Sequence, residues 1–371
     1  MQIKYLSALG LPLALSGALL AGCGQQTQVE AESSTRTAQS ASDAPASDAP
    51  AGSTAKEAEE KTGDDHHPTA AGAMKAHTHT TKLDFSSAPN AIPVGKPATW
   101  TLKITDAKSG APVNDFETEM TKKMHLIVVK NDLSWFNHIH PTFKGNGIFT
   151  VTTTLPTKGT YKLYADYTLK GKGQEVPQYE FATGGEQPTS SSVQLVSDTM
   201  RAMWLTKKFV AHPEGEPNAK GGATYEVALM PMPTPLVAGE DSMLHFQIRD
   251  AKGRPVKDLQ PYLGAMGHCV ILSNDTKSYL HSHPMAEGAE HDMSKMGAMD
   301  MSKMNETPAP KSGGPDVMFH TNFPTAGLYK AWGQFRHKGQ IITSSFVVNV
   351  GAAKAGGVSN AAQDESMPHS H

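Results

Sequence analysis

The sequence contains almost no cysteine. Only Cys23 and Cys269 occur among its 371 residues. If Cys23 carries an N-terminal modification, Cys269 has no partner in the chain, so no intramolecular disulfide is expected. Stability must then come from hydrophobic cores rather than from covalent cross-links.

A strong charge of either sign is also missing. Lys and Arg total 33 and Asp and Glu total 36, which gives a formal net charge of −3 at pH 7. The positive charges are not gathered into a basic patch. Nucleic acid is therefore not expected as a partner.

The N-terminus has the pattern of an export signal. Lys4 precedes an apolar run over residues 5–20, which is shorter than the roughly 20 apolar residues of a membrane span. The run ends in Leu-Ala-Gly-Cys23, which resembles a bacterial lipobox. The resemblance implies a lipoprotein signal peptide at residues 1–22. A lipidated Cys23 would then hold the protein on a membrane of the cell envelope, outside the cytoplasm, and in a Gram-negative cell on the outer membrane facing the periplasm.

Two segments are too polar to fold by themselves. Residues 23–80 consist mainly of Ala, Ser, Thr, Asp, Glu and Pro with almost no aromatic residues, and they are predicted to be a disordered tether. Residues 352–371 are predicted to be a disordered C-terminal tail.

A stretch of twenty residues occurs twice with its histidines in the same places. The copies are residues 122–141 and 265–284, and each contains one His followed 13 and 15 positions later by a His-x-His-Pro. The duplication extends upstream, where residues 83–108 align with 227–252 without a gap. Two long copies predict tandem domains, because a solenoid would need three or more shorter units.

Short runs rich in Val, Ile, Thr, Tyr and Phe alternate with turn residues from Thr81 onward. The first copy is predicted to have strands near 82–86, 98–105, 123–129, 134–139, 148–154, 160–167 and 177–182. Those of the second are predicted near 224–229, 242–249, 266–272, 277–282, 316–322, 328–335 and 341–350. No convincing amphipathic helix appears in either copy.

This pattern predicts an all-β fold with two tandem immunoglobulin-like β-sandwich domains, at residues 81–186 and 223–351. Residues 187–222 would connect them, with one strand near 193–197. The second domain carries an insertion at about 285–315.

The histidines of each copy flank a shared Asn-Asp pair, at residues 131–132 and 274–275. If these two residues form a tight hairpin turn, His268 lies opposite His281 and Met266 opposite His283. In the first copy His125 then lies opposite His138, with Lys123 in the place of the methionine. A one-residue slip in register would turn a histidine to the other face.

Residues two apart share a sheet face and facing Cβ atoms lie about 5 Å apart, so each hairpin predicts a cluster of metal ligands. These candidate ligands are His125, His138 and His140 in the first copy and His268, His281, His283 and Met266 in the second. Imidazole with thioether favours copper, as Cu(I) or Cu(II), and zinc also accepts three histidines. Cys269 is predicted to face the core. The alternative is that the histidines are ordinary satisfied polar groups.

The insertion in the second copy is rich in methionine. The chain needs 32 positions from Pro284 to the next predicted strand, against 7 from Pro141 in the first copy. The candidate ligands in this segment are His291, Met293, Met296, Met299, Met301 and Met304. Thioethers on a flexible chain suit a soft monovalent ion such as Cu(I), although such a segment can also serve as an adaptable hydrophobic contact surface.

The first copy resembles the YtkA-like group of bacterial envelope domains. The resemblance lies in the run from Met124 to Val129, in Phe136-Asn-His-Ile-His-Pro141 and in Gly159-Thr-Tyr-Lys-Leu163. It implies an immunoglobulin-like sandwich and a link to heavy-metal handling. The insertion is similar in kind to the metal-binding segments of periplasmic copper-resistance proteins.

These features predict a membrane-anchored, extracytoplasmic, non-enzymatic protein that binds copper and buffers, sequesters or delivers it. A metal-efflux or metal-delivery protein is the expected partner besides the membrane. The alternative is a non-catalytic cell-envelope interaction module with incidental histidines. A superoxide dismutase-like cuproenzyme shares the His-x-His strand, but its further ligands and paired cysteines have no counterpart in this sequence.

Overall fold

The computed structural model describes residues 79–189, 193–284 and 311–353. The lipobox Cys23, the tether, the tail and the candidate ligands His291, Met293, Met296, Met299, Met301 and Met304 lie outside these residues. Among the described residues, no helix is long and apolar enough to cross a membrane.

The described part of the chain is almost entirely β-structure, with one 3-10 turn at Thr183–Gly185. Its strands are β1 (Thr81–Ala88), β2 (Pro97–Asp106), β3 (His125–Lys130), β4 (Phe136–Ile139), β5 (Thr142–Gly145), β6 (Ile148–Thr154), β7 (Thr160–Leu169), β8 (Gly173–Glu175), β9 (Gln178–Ala182), β10 (Leu205–Val210), β11 (Thr224–Met232), β12 (Leu236–Val237), β13 (Asp241–Asp250), β14 (His268–Ser273), β15 (Tyr279–Ser282), β16 (Asp316–Asn322), β17 (Gly327–His337) and β18 (Gln340–Gly351).

These strands form two sandwiches. In the first, the sheet β1-β2-β6-β5 faces the sheet β4-β3-β7-β8, to which β9 is joined through β7. In the second, the sheet β10-β11-β13-β16 faces the sheet β12-β18-β17-β14-β15. Each pair of sheets encloses its own hydrophobic core. The predicted all-β fold with sandwich domains is confirmed.

Strand β2 shows how the sequence produces one face toward the core and one face toward solvent. Its residues alternate between buried side chains such as Trp100 and Leu102 and outward ones such as Thr99 and Lys103. Strands β3 and β14 differ, because nearly all of their residues are buried. One face of each lies on its own core, and the other face is covered by the other sandwich.

The predicted strand at 193–197 is wrong. Val193 and Leu195 place their side chains against the contact between the sandwiches, and this segment has no strand pairing. A strand that the prediction lacked, β10, lies further on and pairs with β11. The prediction also lacked the short strands β5, β8 and β12.

The predicted two-residue hairpin turns are wrong as well. In the first hairpin Lys130 N–H donates to the carbonyl of Trp135 at 3.1 Å, so the turn contains four residues. Leu133 has a positive φ of 55° there. The second hairpin is built in the same way, from Ser273 to Ser278 and with Thr276 at φ 59°.

The longer turns move the register of each hairpin by two residues. Val270 lies opposite His281, and in the first copy Ile127 lies opposite His138. The predicted pairings of His268 with His281 and of Met266 with His283 are therefore wrong. A shift of two preserves the sheet face, so the histidines still share one face of each hairpin.

The sandwiches pack against each other through these hairpin faces. Phe136 stacks on Trp332 with ring centroids 4.8 Å apart, and Tyr164 stacks on Tyr279 at 5.1 Å. The buried cluster at this contact also includes Ile127, Val129, Leu133, Val176, Val193, Val270 and Leu272.

The contact has an approximate twofold relation between the two copies. Lys330 Nζ donates to the carbonyl of Leu133 at 2.8 Å. At the equivalent place, Lys162 Nζ donates to the carbonyl of Thr276 at 3.1 Å. The same carbonyl accepts a hydrogen bond from the Tyr164 hydroxyl at 2.7 Å. The polar bonds tie each hairpin turn to the opposite sandwich.

We expect Tyr164→Phe to lower the free energy of unfolding by about 1 kcal/mol. The change removes one buried hydrogen bond between the sandwiches and keeps the ring stacking. Chemical denaturation of the full chain measures the difference. Tyr179→Phe, at a partly exposed position, is the matched control and should leave stability unchanged. Equal stabilities for both variants would contradict the expectation.

Candidate metal centre

Six histidines meet where the two sandwiches touch. They are His125, His138 and His140 of the first hairpin and His268, His281 and His283 of the second. Rings from opposite sandwiches approach almost as closely as those within one hairpin: the His125 and His281 centroids lie 5.2 Å apart, against 4.7 Å for His138 and His140. The sequence predicted one patch in each copy, and the structure joins the two patches into a single six-histidine centre.

In the first half of the centre, ring nitrogens converge on His138. Its Nε2 lies 3.0 Å from His125 Nδ1 and 3.2 Å from His140 Nε2. The outward nitrogens of two rings bind elsewhere: His125 Nε2–H donates to the carbonyl of Glu119 at 3.2 Å, and His138 Nδ1–H donates to Gln334 Oε1 at 2.9 Å. Gln334 belongs to the second sandwich.

The second half repeats this arrangement. His268 Nδ1 lies 3.3 Å from His281 Nε2, and His268 Nε2–H donates to the carbonyl of Tyr262 at 3.0 Å. His281 Nδ1–H donates to Asp166 Oδ2 of the first sandwich at 3.0 Å. His283 Nε2 is buried without a hydrogen-bond partner in the described part of the chain.

The outward bonds determine which nitrogen of each ring carries the proton. A backbone carbonyl, an amide oxygen and a carboxylate can only accept, so the nitrogen facing them must be the protonated one. In a neutral imidazole the other nitrogen then carries a lone pair. Lone-pair nitrogens of neutral His125 and His138 therefore face each other, as do those of neutral His268 and His281. The two lone pairs of each facing pair repel each other unless a cation lies between them.

The nitrogen separations match those of ligands on one ion. Two nitrogens about 2.0–2.1 Å from a tetrahedral metal are about 3.3–3.4 Å apart. Two groups of three residues have ligand atoms that all lie within 4.8 Å of one another: His125, His138 and His281, and His268, His281 and His283. His281 belongs to both groups, and the first group draws ligands from both sandwiches.

Burial favours the neutral form of five of these rings. It lowers the pKa of His125 to about 3, with a further contribution from the neighbouring His281 and His140. Burial and neighbouring histidines also hold the pKa values of His138, His268 and His283 well below the ordinary value. The pKa of His140 is lowered mainly by burial. Neutral imidazole is the form that binds metal.

Two carboxylates lie against rings of the centre in the described part of the chain: Asp166, which accepts from His281 at 3.0 Å, and Glu214, whose Oε1 lies 3.7 Å from His140 Nδ1. Burial tends to raise the pKa of Asp166, but the hydrogen bonds from His281 and Gln174 outweigh this and lower it. Asp166 also accepts from the Tyr279 hydroxyl at 2.8 Å and from Gln174 Nε2 at 2.7 Å. A carboxylate behind a metal-binding imidazole fixes the ring and raises its basicity.

Sequence reasoning missed Asp166 and Gln334. They occupy equivalent places, because Asp166 pairs with His125 across β3 and β7, and Gln334 pairs with His268 across β14 and β17. Each reaches across to a histidine of the opposite sandwich. The signal available in the sequence was their equal position after the shared Gly-x-Tyr-Lys of each copy.

Two predicted residues lie away from the centre. Met266 is buried in the hydrophobic core of the second sandwich, because β14 begins only at His268 and the preceding residues do not continue its alternation. Cys269 is buried in the same core, as predicted. Burial raises the pKa of its thiol, which disfavours the thiolate needed to bind a metal.

Two segments of the chain, residues 76–183 and 219–352, match the family described as Domain of unknown function (DUF8832). The chain belongs to this family. Each DUF8832 segment covers one histidine hairpin and its sandwich, except that strand β10 of the second sandwich lies outside the matched residues. The family's description names neither a function, nor the YtkA-like group, nor copper resistance. No curated protein matches the sequence.

Solved structures match the DUF8832 chain only at low identity and low TM-score. Trypsin-activated alpha-2-macroglobulin from Escherichia coli is 12% identical with a TM-score of 0.20, over 72% of this chain and only 15% of that one. A carbohydrate-binding module of the β-sandwich superfamily is 10% identical with a TM-score of 0.19, over 74% of this chain and 100% of that one. Fibronectin(III)-like modules of Clostridium thermocellum CbhA are 11% identical with a TM-score of 0.17, over 78% of this chain and 100% of that one.

Proposed function

We propose that this DUF8832 protein is a membrane-anchored, extracytoplasmic metal-binding protein whose six-histidine centre holds copper, and that it buffers, sequesters or delivers the metal. The observation that carries the proposal is the convergence of unprotonated nitrogens. His125 Nδ1 and His138 Nε2 lie 3.0 Å apart, with each ring's proton held on its outer side. A bound cation relieves this repulsion.

The donor atoms narrow the choice of metal. Imidazole nitrogens suit copper, zinc, iron and nickel, whereas magnesium and calcium prefer oxygen. Divalent copper binds nitrogen sites more tightly than zinc does. The methionine-rich insertion in the sequence also favours copper, because thioethers select Cu(I). Zinc is the alternative ion at the centre itself.

The ligands favour binding over catalysis. A catalytic metal site keeps an open position for water or substrate, whereas here the side chains of His138, His268 and His281 are enclosed between two packed sandwiches. The proposal therefore assigns no enzymatic activity.

The proposed membrane anchoring and partner are inferred from the sequence. The lipobox-like Cys23 would anchor the protein to a membrane. The resemblance to YtkA-like domains supports heavy-metal handling, and a metal-efflux or metal-delivery protein would be the partner that receives the ion. The competing function, an interaction module with incidental histidines, leaves the facing lone pairs unexplained.

Elemental analysis and metal titration of the full chain test the proposal. Protein purified without added metal should carry copper or zinc. After chelation it should rebind either ion and unfold at a higher temperature, because a ligand of the native state stabilises it. A double variant, His138→Gln with His281→Gln, should lose most of the thermal shift. Negligible metal and no thermal shift with either ion would overturn the proposal in favour of the interaction module.

A further inference from the structure

A second group of metal-binding side chains lies on the outer face of the sheet β10-β11-β13-β16. In one row across the sheet, Met230 pairs with His245, and His245 pairs with Met318. In the next row, Met232 pairs with Met243, and Met243 pairs with His320. Cross-strand partners share a face, so four methionines and two histidines form a grid of two rows and three strands.

The grid faces away from the core. The alternate residues of these strands, such as Leu229, Phe246 and Phe319, fill the core of the second sandwich. Met230, His245 and Met318 are partly exposed. Adjacent Cβ atoms across paired strands lie about 4.5–5.5 Å apart, within reach of long side chains that converge on one ion.

The first sandwich supplies an internal comparison at the same place in the fold. Its equivalent rows are Ser86, Thr101 and Thr150, and Ala88, Thr99 and Thr152. These are the small and β-branched residues usual on an exposed strand face. The fold therefore does not require methionine or histidine at these positions, and the packing of Trp204 against His245, with ring centroids 5.1 Å apart, involves only one of the six residues.

Each histidine of the grid has one ring nitrogen beside a carboxylate. His245 Nε2–H donates to Asp316 Oδ1 at 2.7 Å, and Gln247 Nε2 donates to the same oxygen at 3.0 Å. This leaves Nδ1 of His245 with a lone pair. His320 Nε2 lies 3.6 Å from Asp241 Oδ1. His320 Nδ1 is buried with no hydrogen-bond partner in the part of the chain that the structure describes.

We infer that this Met/His face is a separate site for a soft monovalent metal ion, Cu(I) or its analogue Ag(I). Thioether sulfur selects Cu(I) over harder ions, and imidazole accompanies it well. The ion would bind through Met230, His245 Nδ1 and Met318, with the row of Met232, Met243 and His320 beside it. Asp316 acts as a positioning residue for His245. The inference does not depend on the six-histidine centre.

Strand β16 of the face contacts the end of β15, where two histidines of that centre lie. Ser282, between His281 and His283, donates to the carbonyl of His320 at 2.6 Å. Pro284 pairs with Phe319 of β16. The methionine-rich segment starts directly after Pro284 in the sequence. The strand that carries His281 and the strand that carries Met318 and His320 are thus joined along the edges of β15 and β16.

Methionine methyl spectra of the full chain test the inference. The protein is labelled with [methyl-¹³C]methionine and titrated with Ag(I), which is redox-stable, and resonances are assigned by single Met→Leu variants. The methyl signals of Met230, Met243 and Met318 should shift with the first added equivalents. If these signals stay in place while signals of residues 285–304 saturate, the face is not a metal site.

A variant that copies the first sandwich gives the matched comparison. Met230→Ser, His245→Thr and Met318→Thr introduce the residues found at the equivalent positions, so the fold is expected to hold. The Ag(I) affinity measured from the Met232 and Met243 methyl signals should fall at least about tenfold. Loss of even an outer-shell partner weakens metal binding on that scale.

The control Met124→Leu with Met266→Leu removes two thioethers from the cores and should leave the affinity unchanged. Unchanged affinity in the triple variant would overturn the inference. Zn(II) affinity of the triple variant should equal that of the wild type, which separates failure of this site from failure of the six-histidine centre.

Discussion

Replacing His281 by glutamine should weaken metal binding at the six-histidine centre by at least about a hundredfold. His281 is the residue shared by both groups of three histidines, so its loss leaves neither group complete. Loss of an outer-shell partner alone usually costs 10–100-fold, and a direct ligand contributes more. Glutamine keeps a donor for Asp166, which limits structural damage. Competition titration with a chelator of known affinity measures the change for Cu(II) and Zn(II).

The position of each histidine makes this expectation specific. His125→Gln removes one group and His268→Gln the other, so each single variant should keep one complete group and lose less affinity than His281→Gln. His79→Gln is the control, because His79 hydrogen bonds to Glu175 away from the centre. Wild-type affinity in folded His281→Gln, or an equal loss in His79→Gln, would contradict the assignment of the ligands.

The metal-free protein should lose several kcal/mol of stability when the pH falls from 7.5 to 5.5. Burial lowers the folded-state pKa of five histidines, which are His125, His138, His140, His268 and His283. Their unfolded-state pKa is about 6.5. Between the folded and unfolded pKa values the unfolded chain binds more protons, so stability falls as the pH decreases from about 6.5.

The size of this effect follows from the number of rings. Each histidine that stays neutral in the folded state costs about 1.4 kcal/mol at pH 5.5. Native domains are stable by only about 5–15 kcal/mol, so the metal-free protein should be close to unfolding at that pH. For His125 the loss continues downward toward a pKa of about 3. Denaturation curves in the presence of a chelator, at several pH values, measure it.

One variant distinguishes this cause from general acid destabilisation. His125→Gln removes one titrating ring from the centre. The slope of the free energy of unfolding against pH should then correspond to about one proton fewer taken up on unfolding. Equal slopes for His125→Gln and the wild type, or a flat stability between pH 7.5 and 5.5, would show that the buried histidines do not control the acid response.

The histidine face of each hairpin was predictable from the sequence. The repeat placed the His-x-His of residues 138–140 and 281–283 in equivalent strands, and alternation then determined which side chains share a face. The turn was mispredicted, because Leu133 and Thr276 adopt left-handed backbone that the Asn-Asp pairs did not indicate. The two-residue shift left the face unchanged, so the histidines of each hairpin still lie together.

The union of the two patches was not predicted. It depends on contacts between residues about 200 positions apart, such as His138 with Gln334. A signal was nevertheless present, because Leu126 to Val129 is a continuous apolar run, the pattern of a strand buried on both faces. The Met/His face was missed for a different reason. Met230, His245 and Met318 are scattered in sequence and become neighbours only through the strand register.

The paired places of Asp166 and Gln334 have a consequence for how such a centre can arise. Two identical subunits related by a twofold axis must supply the same residue twice, giving two carboxylates or none. Because the two halves belong to one polypeptide, the equivalent positions are free to differ, and a carboxylate stands behind His281 where an amide stands behind His138. The tandem chain is in effect a covalently joined heterodimer, with a polarity between its halves that a symmetric assembly cannot have.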